Sequence, residues 1–424
     1  MNKSTVGELI IDDESCQYGL GLPAEEYAPN KVRYLRISDI DDSGNLLDND
    51  KKFISAPNIK DYILKPNDLV VARTGNSTGR TYVYSEDDEK LAYAGFLIKY
   101  VFNSEKINPR YMKYFTVSDF YKKQISGFSG STRGNMNAQN FKNITVIYPN
   151  RKNQDKMVEL FDLISKKIKN NNKIISELES LAKTIYDYWF LQFEFPNEDG
   201  KPYKSSGGKM VWNEKLKREI PEGWDVKKIK DCVQHINTGL NPRDNFVLNE
   251  GGDIKYITVK NLTTEGTLDF IGCDTITPEV KQLINKRSMV AEGDILFASI
   301  APLGRCFLIY ETPEDWEINE SVFSIRPNTQ CVNSEYLYLF FMSDWFVKKA
   351  EHSSTGSVFN GIRISALEDT PLVVPPKYIL KKFKTLIMPL FKEKFFNGKQ
   401  NQELASLRDF LLPMLMNGQV TFKD

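Results

Sequence analysis

Apolar positions recur along this chain with two different periods. Residues 1–150 hold short β-rich runs, such as Asp68 to Ala72 and Ile144 to Tyr148, interrupted by Gly, Asn and Asp turns. From residue 151 to about residue 193 the spacing changes. Phe161, Ile164, Ile168, Ile175, Leu178, Ala182, Ile185 and Trp189 follow one another at three- and four-residue steps, with Asn171 filling the single gap. Neither Gly nor Pro interrupts them, so the pattern predicts one long helix with a coiled-coil seam, about 60 Å long at the helical rise per residue. The same register returns near the C-terminus through Ile387, Leu390, Leu404, Leu411 and Leu415, with Lys394, Asn397, Asn401 and Arg408 at the intervening seam positions. Pro389 and Pro413 are expected to kink or shorten this second helix. Polar residues in the middle of both seams favour a single pairing register. The matched registers predict that the helices pair with each other instead of packing separately on their own domains.

The two helices are part of a larger repeat. YLRISDI from Tyr34 resembles YITVKNL from Tyr256, and KPNDLVVARTG from Lys65 resembles AEGDILFASIA from Ala291. Likewise GRTYVYS from Gly79 matches GRCFLIY from Gly304, and YMKYFTVSDFYKK from Tyr111 matches YLYLFFMSDWFVK from Tyr336. ITVIYP ending at Pro149 matches PLVVP ending at Pro375, and ELESLAKTIYDYWF from Glu177 matches ELASLRDFLLPMLM from Glu403. All six pairs keep one order and an offset of 222 to 226 residues. The chain is therefore a tandem duplication of one β-rich domain plus one helix. The expected organisation is a first domain over 1–150, a long helix over 151–195, a linker over 196–222, a second domain over 223–376 and a second long helix over 377–424. The linker assignment rests on Pro, Gly and Ser content, although Trp212 and Trp224 predict that it is partly docked. The fold class is α+β.

Composition narrows the chemistry. A chain of 424 residues with 41% hydrophobic and 26% charged residues is an ordered globular protein of two to four domains. It has no run of 18 apolar residues, and MNKSTVGELIIDDESCQ is not a secretory signal, so a cytoplasmic location is expected. Lys plus Arg equal Asp plus Glu at 56 each, which excludes a simple cationic DNA-coating protein. Any nucleic-acid role must rest on local loops or on partners. Cys16, Cys232, Cys273, Cys306 and Cys331 are widely spaced, which fits reduced packing thiols and argues against a zinc site. His235 and His352 are isolated and read as structural or surface residues. The acidic clusters Asp39, Asp41, Asp42 and Glu86 to Glu89 lack calcium-loop spacing and read as solvated turns. GNSTGRT from Gly75 is too short for a phosphate loop and has Arg where that loop needs Lys. No catalytic, metal or cofactor residues are expected on this chain.

Loops rich in Arg, Ser, Thr, Asn and Gly suit DNA, because backbone N–H groups reach phosphates and forked side chains reach base edges. In the first half the candidates are Arg73, Thr74, Asn76, Ser77, Thr78 and Arg80, and then Ser131, Thr132, Arg133, Asn135 and Asn137. In the second half they are Arg243, Lys260, Asn261, Ser299 and Arg305, with Ser353, Thr355, Ser357, Asn360 and Arg363. The bland alternative is that these are ordinary hairpin turns.

Several stretches resemble the specificity subunit of type I restriction-modification enzymes: LRDFLLPMLMNGQV at the C-terminus, LAKTIYDYWF followed by FPNEDGKPYKSSGGKMVWN, IPEGWDVKKI, and GDILFASIAPLGR with its counterpart NDLVVARTGNSTGR. The resemblance covers essentially the whole chain, except that the first half has no counterpart of Pro221-Glu222-Gly223-Trp224 before Val6. It implies two target recognition domains, each contacting one half of a split, asymmetric DNA site. It implies helices that pair antiparallel as a pseudo-two-fold spacer and dock two adenine methyltransferase subunits, with restriction subunits completing the assembly. S-adenosylmethionine would bind the methyltransferase partner, and ATP and Mg the restriction partner, with no cofactor and no membrane for this chain. Two other readings compete: an adaptor whose β domains bind proteins, and a self-contained DNA-modifying enzyme. The enzyme reading lacks its motifs, and salt-dependent DNA binding would separate the adaptor from a DNA reader.

Overall fold

A computed structural model describes residues 1–12, 15–47, 50–127, 136–353 and 361–422, the side chains of 352 and 353 excepted. Contacts divide the chain into two units, one of residues 1–166 and 404–424, the other of residues 167–403. The sequence order is thus not the packing order, because the end of the second long helix belongs with the first domain.

Among its described residues the first unit contains nine strands: β1 (Asn2–Thr5), β2 (Gln17–Tyr18), β3 (Val32–Leu35), β4 (Phe53–Ile54), β5 (Leu69–Ala72), β6 (Thr81–Val83), β7 (Leu91–Tyr93), β8 (Leu97–Tyr100) and β9 (Thr145–Tyr148). They form sheets of order β2-β8-β5-β6, β4-β3-β7 and β1-β9. Short helices α1 (Val6–Leu9), α2 (Tyr111–Phe115), α3 (Asp119–Ser126) and α4 (Ala138–Lys142) precede the long α5 (Arg151–Tyr186).

The second unit begins within α5, and its first strands are a hairpin of β10 (Met210–Asn213) and β11 (Arg218–Pro221). Then follow β12 (Asp225–Lys228), β13 (Val233–Thr238), β14 (Ile254–Ile257), β15 (Asp274–Ile276), β16 (Ile295–Ala298), β17 (Cys306–Leu308), β18 (Trp316–Ile318), β19 (Val322–Pro327) and β20 (Pro371–Val374). Their sheets have the orders β13-β19-β16-β17, β15-β14-β18 and β12-β20. This is the first unit's topology repeated strand for strand, including the parallel pair β3–β7 and its equivalent β14–β18. Although the first half lacks the PEGW segment, β1 pairs β9 just as β12 pairs β20. The helices here are α6 (Pro278–Asn285), α7 (Ser334–Phe341), α8 (Asp344–Ser353), α9 (Ile364–Glu368) and α10 (Lys377–Met416).

Every residue of β5 and of β16 is buried, as their unbroken apolar runs require of central strands. Each is entered through the same turn. Asp68 accepts from the Lys65 N–H at 2.9 Å, and Asp294 accepts from the Ala291 N–H at 2.9 Å. Asp294 is also clamped by Arg326 at 2.7 Å. Tandem duplication has copied the turn chemistry along with the strand.

The expected linker is a folded segment. Phe195 stacks on Tyr203 with ring centroids 4.6 Å apart and lies 5.0 Å from Trp224, while β10 and β11 pair beyond it. Burial of these rings overrides the turn-rich composition on which the linker reading rested. Asp39 is a second departure. It is buried against Arg36 at 2.6 Å and is not a solvated turn residue. Neither proline ends α10, which runs unbroken for 40 residues. Pro389 and Pro413 both lie on exposed positions, as do Thr385 and Asp409, whose carbonyls lose their donors and can be hydrated there.

Within the second unit α5 and α10 pair antiparallel. The buried Asn171 amide donates to Gln400 and Asn401, each at 2.9 Å, and Asn401 donates to Asn172 at 2.7 Å. Two turns further along α5, Glu179 meets Lys394 at 2.5 Å, earlier on α10. Ile175, Ala182, Ile387, Lys394 and Asn397 are buried, and Ile168, Leu178, Ile185 and Leu390 are half-buried. In the first unit Phe161, Ile164 and Leu415 are buried and Leu404 and Leu411 half-buried, with Met157 and Leu415 lining one cavity. Lys394 also donates to the Tyr338 hydroxyl at 2.9 Å and the Glu265 carbonyl at 3.1 Å. Removing one member of a buried pair strands the other charge. Lys394→Ala is therefore expected to lower stability by about 3–5 kcal/mol in urea titrations. The apolar double variant Glu179→Leu/Lys394→Met should recover most of that loss.

Glu317 on β18 is a buried carboxylate where the first repeat has Ala92. Burial raises its pKa to about 7. An unfolded Glu loses its proton near pH 4.3 whereas the folded one retains it up to about 7, so stability is full below that window and falls as pH rises through it. Glu317→Gln should be more stable than wild type at pH 8 by up to about 3 kcal/mol and nearly equal at pH 4, as read from urea midpoints at the two pH values.

Candidate nucleic-acid interface

In both units a frame of backbone hydrogen bonds braces the chain as it leaves the central strand. After β5, the Arg73 N–H donates to the Phe96 carbonyl at 3.0 Å, and the Arg73 carbonyl accepts from the Met136 N–H at 2.8 Å. After β16, the Ser299 N–H donates to the Ser321 carbonyl at 3.0 Å, and the Ser299 carbonyl accepts from the Ile362 N–H at 2.8 Å. The bonded pairs are separated by the repeat offset. Three segments distant in sequence thus meet at one point in each unit: the strand exit, the turn before β8 or β19, and the entry to α4 or α9.

A fourth segment joins them at a glycine. A Cβ on Gly19 would lie 2.2 Å from the Ala94 carbonyl oxygen, and one on Gly239 would lie 1.8 Å from that of Ile318, so only glycine lets the backbones approach this closely. The next residue is held by a buried tyrosine in each unit: the Tyr34 hydroxyl donates to the Leu20 carbonyl, and that of Tyr256 donates to the Leu240 carbonyl at 2.5 Å.

The side chains on these equivalent frames differ. In the first unit the Arg73 guanidinium lies 5.2 Å from the centroid of the half-exposed Tyr18 ring, and its buried Nε has no hydrogen-bond partner among the described residues. The Tyr18 hydroxyl accepts from the Ala138 N–H at 3.3 Å. Asn137 caps α4 by accepting from the Asn140 N–H at 2.8 Å. Thr74 is half-buried, and Asn76 and Phe96 are exposed. In the second unit Ser299 is buried and its hydroxyl donates to the Ser321 carbonyl at 2.7 Å. Arg363 is exposed at the N-cap position of α9, equivalent to Asn137. Arg243 and Lys260 are also exposed.

Other expected contact residues are occupied in holding the loops. Arg80 reaches Asp42 at 2.6 Å and the Ile40 carbonyl at 3.2 Å, and its counterpart Arg305 reaches the Leu262 carbonyl at 3.3 Å. Ser77 is buried, and the Thr78 hydroxyl donates to the Gly75 carbonyl at 2.8 Å. Asn261 is buried, with its amide donating to Asp269 and its oxygen accepting from the Thr258 N–H. Ser131, Thr132, Arg133 and Asn135 lie outside the described residues, as do Thr355, Ser357, Asn360 and the Ser353 side chain. Tyr18 and Phe96 were not among the expected contacts. The Tyr18-Gly19-Leu20 and Thr238-Gly239-Leu240 pair, repeated at nearly the same offset, is the signal that points to the first of them. Among the described residues no His, Cys, Asp or Glu cluster could hold a metal, and no helix is long and apolar enough to cross a membrane.

The family model for the type I restriction modification DNA specificity domain matches residues 22–180 and 221–404, once in each repeat. The chain belongs to that family. As a type I specificity subunit it serves DNA recognition within a restriction-modification system, and catalysis is not its part. It is similar to the type I restriction enzyme MjaIX specificity subunit of Methanocaldococcus jannaschii, with 26% identity over 315 residues, 72% of this chain and 66% of that protein. The HindI specificity subunit of Haemophilus influenzae is 20% identical over 439 residues, covering 89% of this chain and 93% of that one. A crystal structure of the type I system S subunit from M. genitalium shares the fold, with a TM-score of 0.54, 15% identity and coverage of 100% of this chain and 96% of that one.

Arg73 and Arg80 should therefore behave differently when changed. Arg73→Ala is expected to lose about 1–3 kcal/mol of discrimination at one base pair, as measured by competition binding with single-base variants of the target. Arg80→Ala should weaken binding to all sequences alike and lower the melting temperature, because it releases a loop and removes no base contact.

Proposed function

We propose that this specificity subunit reads a split, asymmetric DNA target, one part through the frame at Arg73 and the other through the frame at Ser299. The observation that carries this reading is the repeated backbone frame bearing unlike side chains. Arg73 and Tyr18 stand on one copy, and Ser299 and Arg363 on the other, while Asn76 and Lys260 are exposed elsewhere in the two units. Two equivalent frames suit two places on a duplex, and unlike side chains read unlike sequences.

The same reading has two adenine methyltransferase subunits docked on the long helices, and restriction subunits joining the assembly. S-adenosylmethionine then belongs to the methyltransferase, and ATP and Mg to the restriction subunit. Exposed apolar side chains on the helices support docking. In the first unit these are Leu163, Leu407 and Phe410, and in the second Ile174, Leu181 and Phe396. On α10, Phe396, Leu407 and Phe410 fall on the side opposite the buried Ile387, Phe391 and Lys394. In this reading α5 and α10 are the spacer between the recognition sites.

Mapping adenine methylation across the host genome with and without this gene tests the proposal. Loss of one split, asymmetric motif on deletion is the expected outcome. An unchanged methylome counts against the reading and moves the protein-binding adaptor to the front.

A further inference from the structure

We infer that Phe96 is a specificity-determining residue of the first recognition site, reading the methyl group of a thymine beside the base contacted by Arg73. The inference rests on the DNA-reading role proposed above. Phe96 is 58% exposed at the tip of the turn between β7 and β8. Two backbone hydrogen bonds fix that turn, from the Leu97 N–H to the Ala94 carbonyl at 2.8 Å and from the Arg73 N–H to the Phe96 carbonyl at 3.0 Å. The ring is therefore attached to a rigid point whose backbone is bonded to that of Arg73, the residue whose guanidinium lies against Tyr18.

The second unit shows that the frame itself does not require this ring. There Ser321 occupies the equivalent position, and its carbonyl performs the same bracing for Ser299 at 3.0 Å. The backbone task is common to both repeats, whereas the large apolar side chain is confined to one. An exposed phenyl ring has no hydrogen-bonding capacity, so among the groups on base edges the major-groove C5-methyl of thymine is the one it selects. Arg supplies the complementary preference for guanine O6 and N7. Together the two side chains point to a guanine and a thymine close together in the half-site read by the first unit, and to no such apolar contact from Ser321 in the other half.

The test uses the full chain assembled with its methylating subunits and duplexes carrying the genomic target. Each thymine of the target is replaced in turn by uracil, which removes only the methyl group. Wild type is expected to lose about four-fold in affinity at one thymine of the first half-site, the value of one buried methyl. Phe96→Ala should lose affinity on thymine DNA and show no further loss with uracil at that same position. Phe96→Leu, which retains an apolar contact, should preserve part of the sensitivity and shows that the turn still folds. Methyl losses that simply add to the Phe96→Ala loss at every position would overturn the inference, as would coupling confined to the other half-site. So would an equal loss on unrelated DNA, which marks a wedge between bases or a backbone contact. If Arg73→Ala relaxes the first half-site while no methyl couples to Phe96, this inference alone fails. If Arg73→Ala alters neither half-site, the DNA-reading role assigned to the frame fails with it.

Discussion

A buried ammonium group must have a counter-charge and hydrogen-bond acceptors, and Lys394 finds them on three other elements. Glu179 of α5 supplies the charge, Tyr338 of α7 a hydroxyl and Glu265 a loop carbonyl. Sliding α10 along α5 by one turn would separate the pair and leave two charges stranded in an apolar seam. Asn171 adds a second condition of the same kind through Gln400 and Asn401. Apolar residues at three- and four-residue steps would tolerate several registers, so the buried polar groups select one. The Glu179–Lys394 pair also ties the helix seam to the β-rich part of its unit.

The proposed recognition surface rests on a different constraint. Backbone N–H and carbonyl groups at the strand exits must be paired, and in both units they pair with segments far away in sequence. That pairing brings three segments together through backbone groups alone. The side chains are consequently free to differ between repeats. Arg73 and Phe96 in one repeat become Ser299 and Ser321 in the other without disturbing the frame. Divergence of these side chains and constancy of fold thus have one physical origin.

The polar loop residues show why composition alone does not assign their bonding roles. Arg73 and Arg80 lie in the same short loop and are chemically identical, yet one lies against Tyr18 and the other is bound to Asp42 and to a carbonyl. Asn261 and Asn76 differ in the same way, one closed in a buried network and the other exposed. Which polar group is already satisfied depends on partners some 40 residues away for Arg80 and Arg305. Local pattern carries no information about that.

The sequence by itself determined the duplication, the α+β class and the two long helices, because each is written in periodicity or in residues repeated at a constant offset; the family came from motifs that resemble it. Tertiary structure decided what spacing cannot encode. It closed Glu179 onto Lys394, although a lone Glu beside Leu178 reads as a surface residue. It folded the turn-rich segment around Phe195, Tyr203 and Trp224, and carried α10 through two prolines whose lost hydrogen bonds face solvent. It also divided the polar loop residues into those that hold the loop and those presented outward. Each outcome depends on burial and on which distant group satisfies a given donor or charge, and that becomes defined only when the chain has packed.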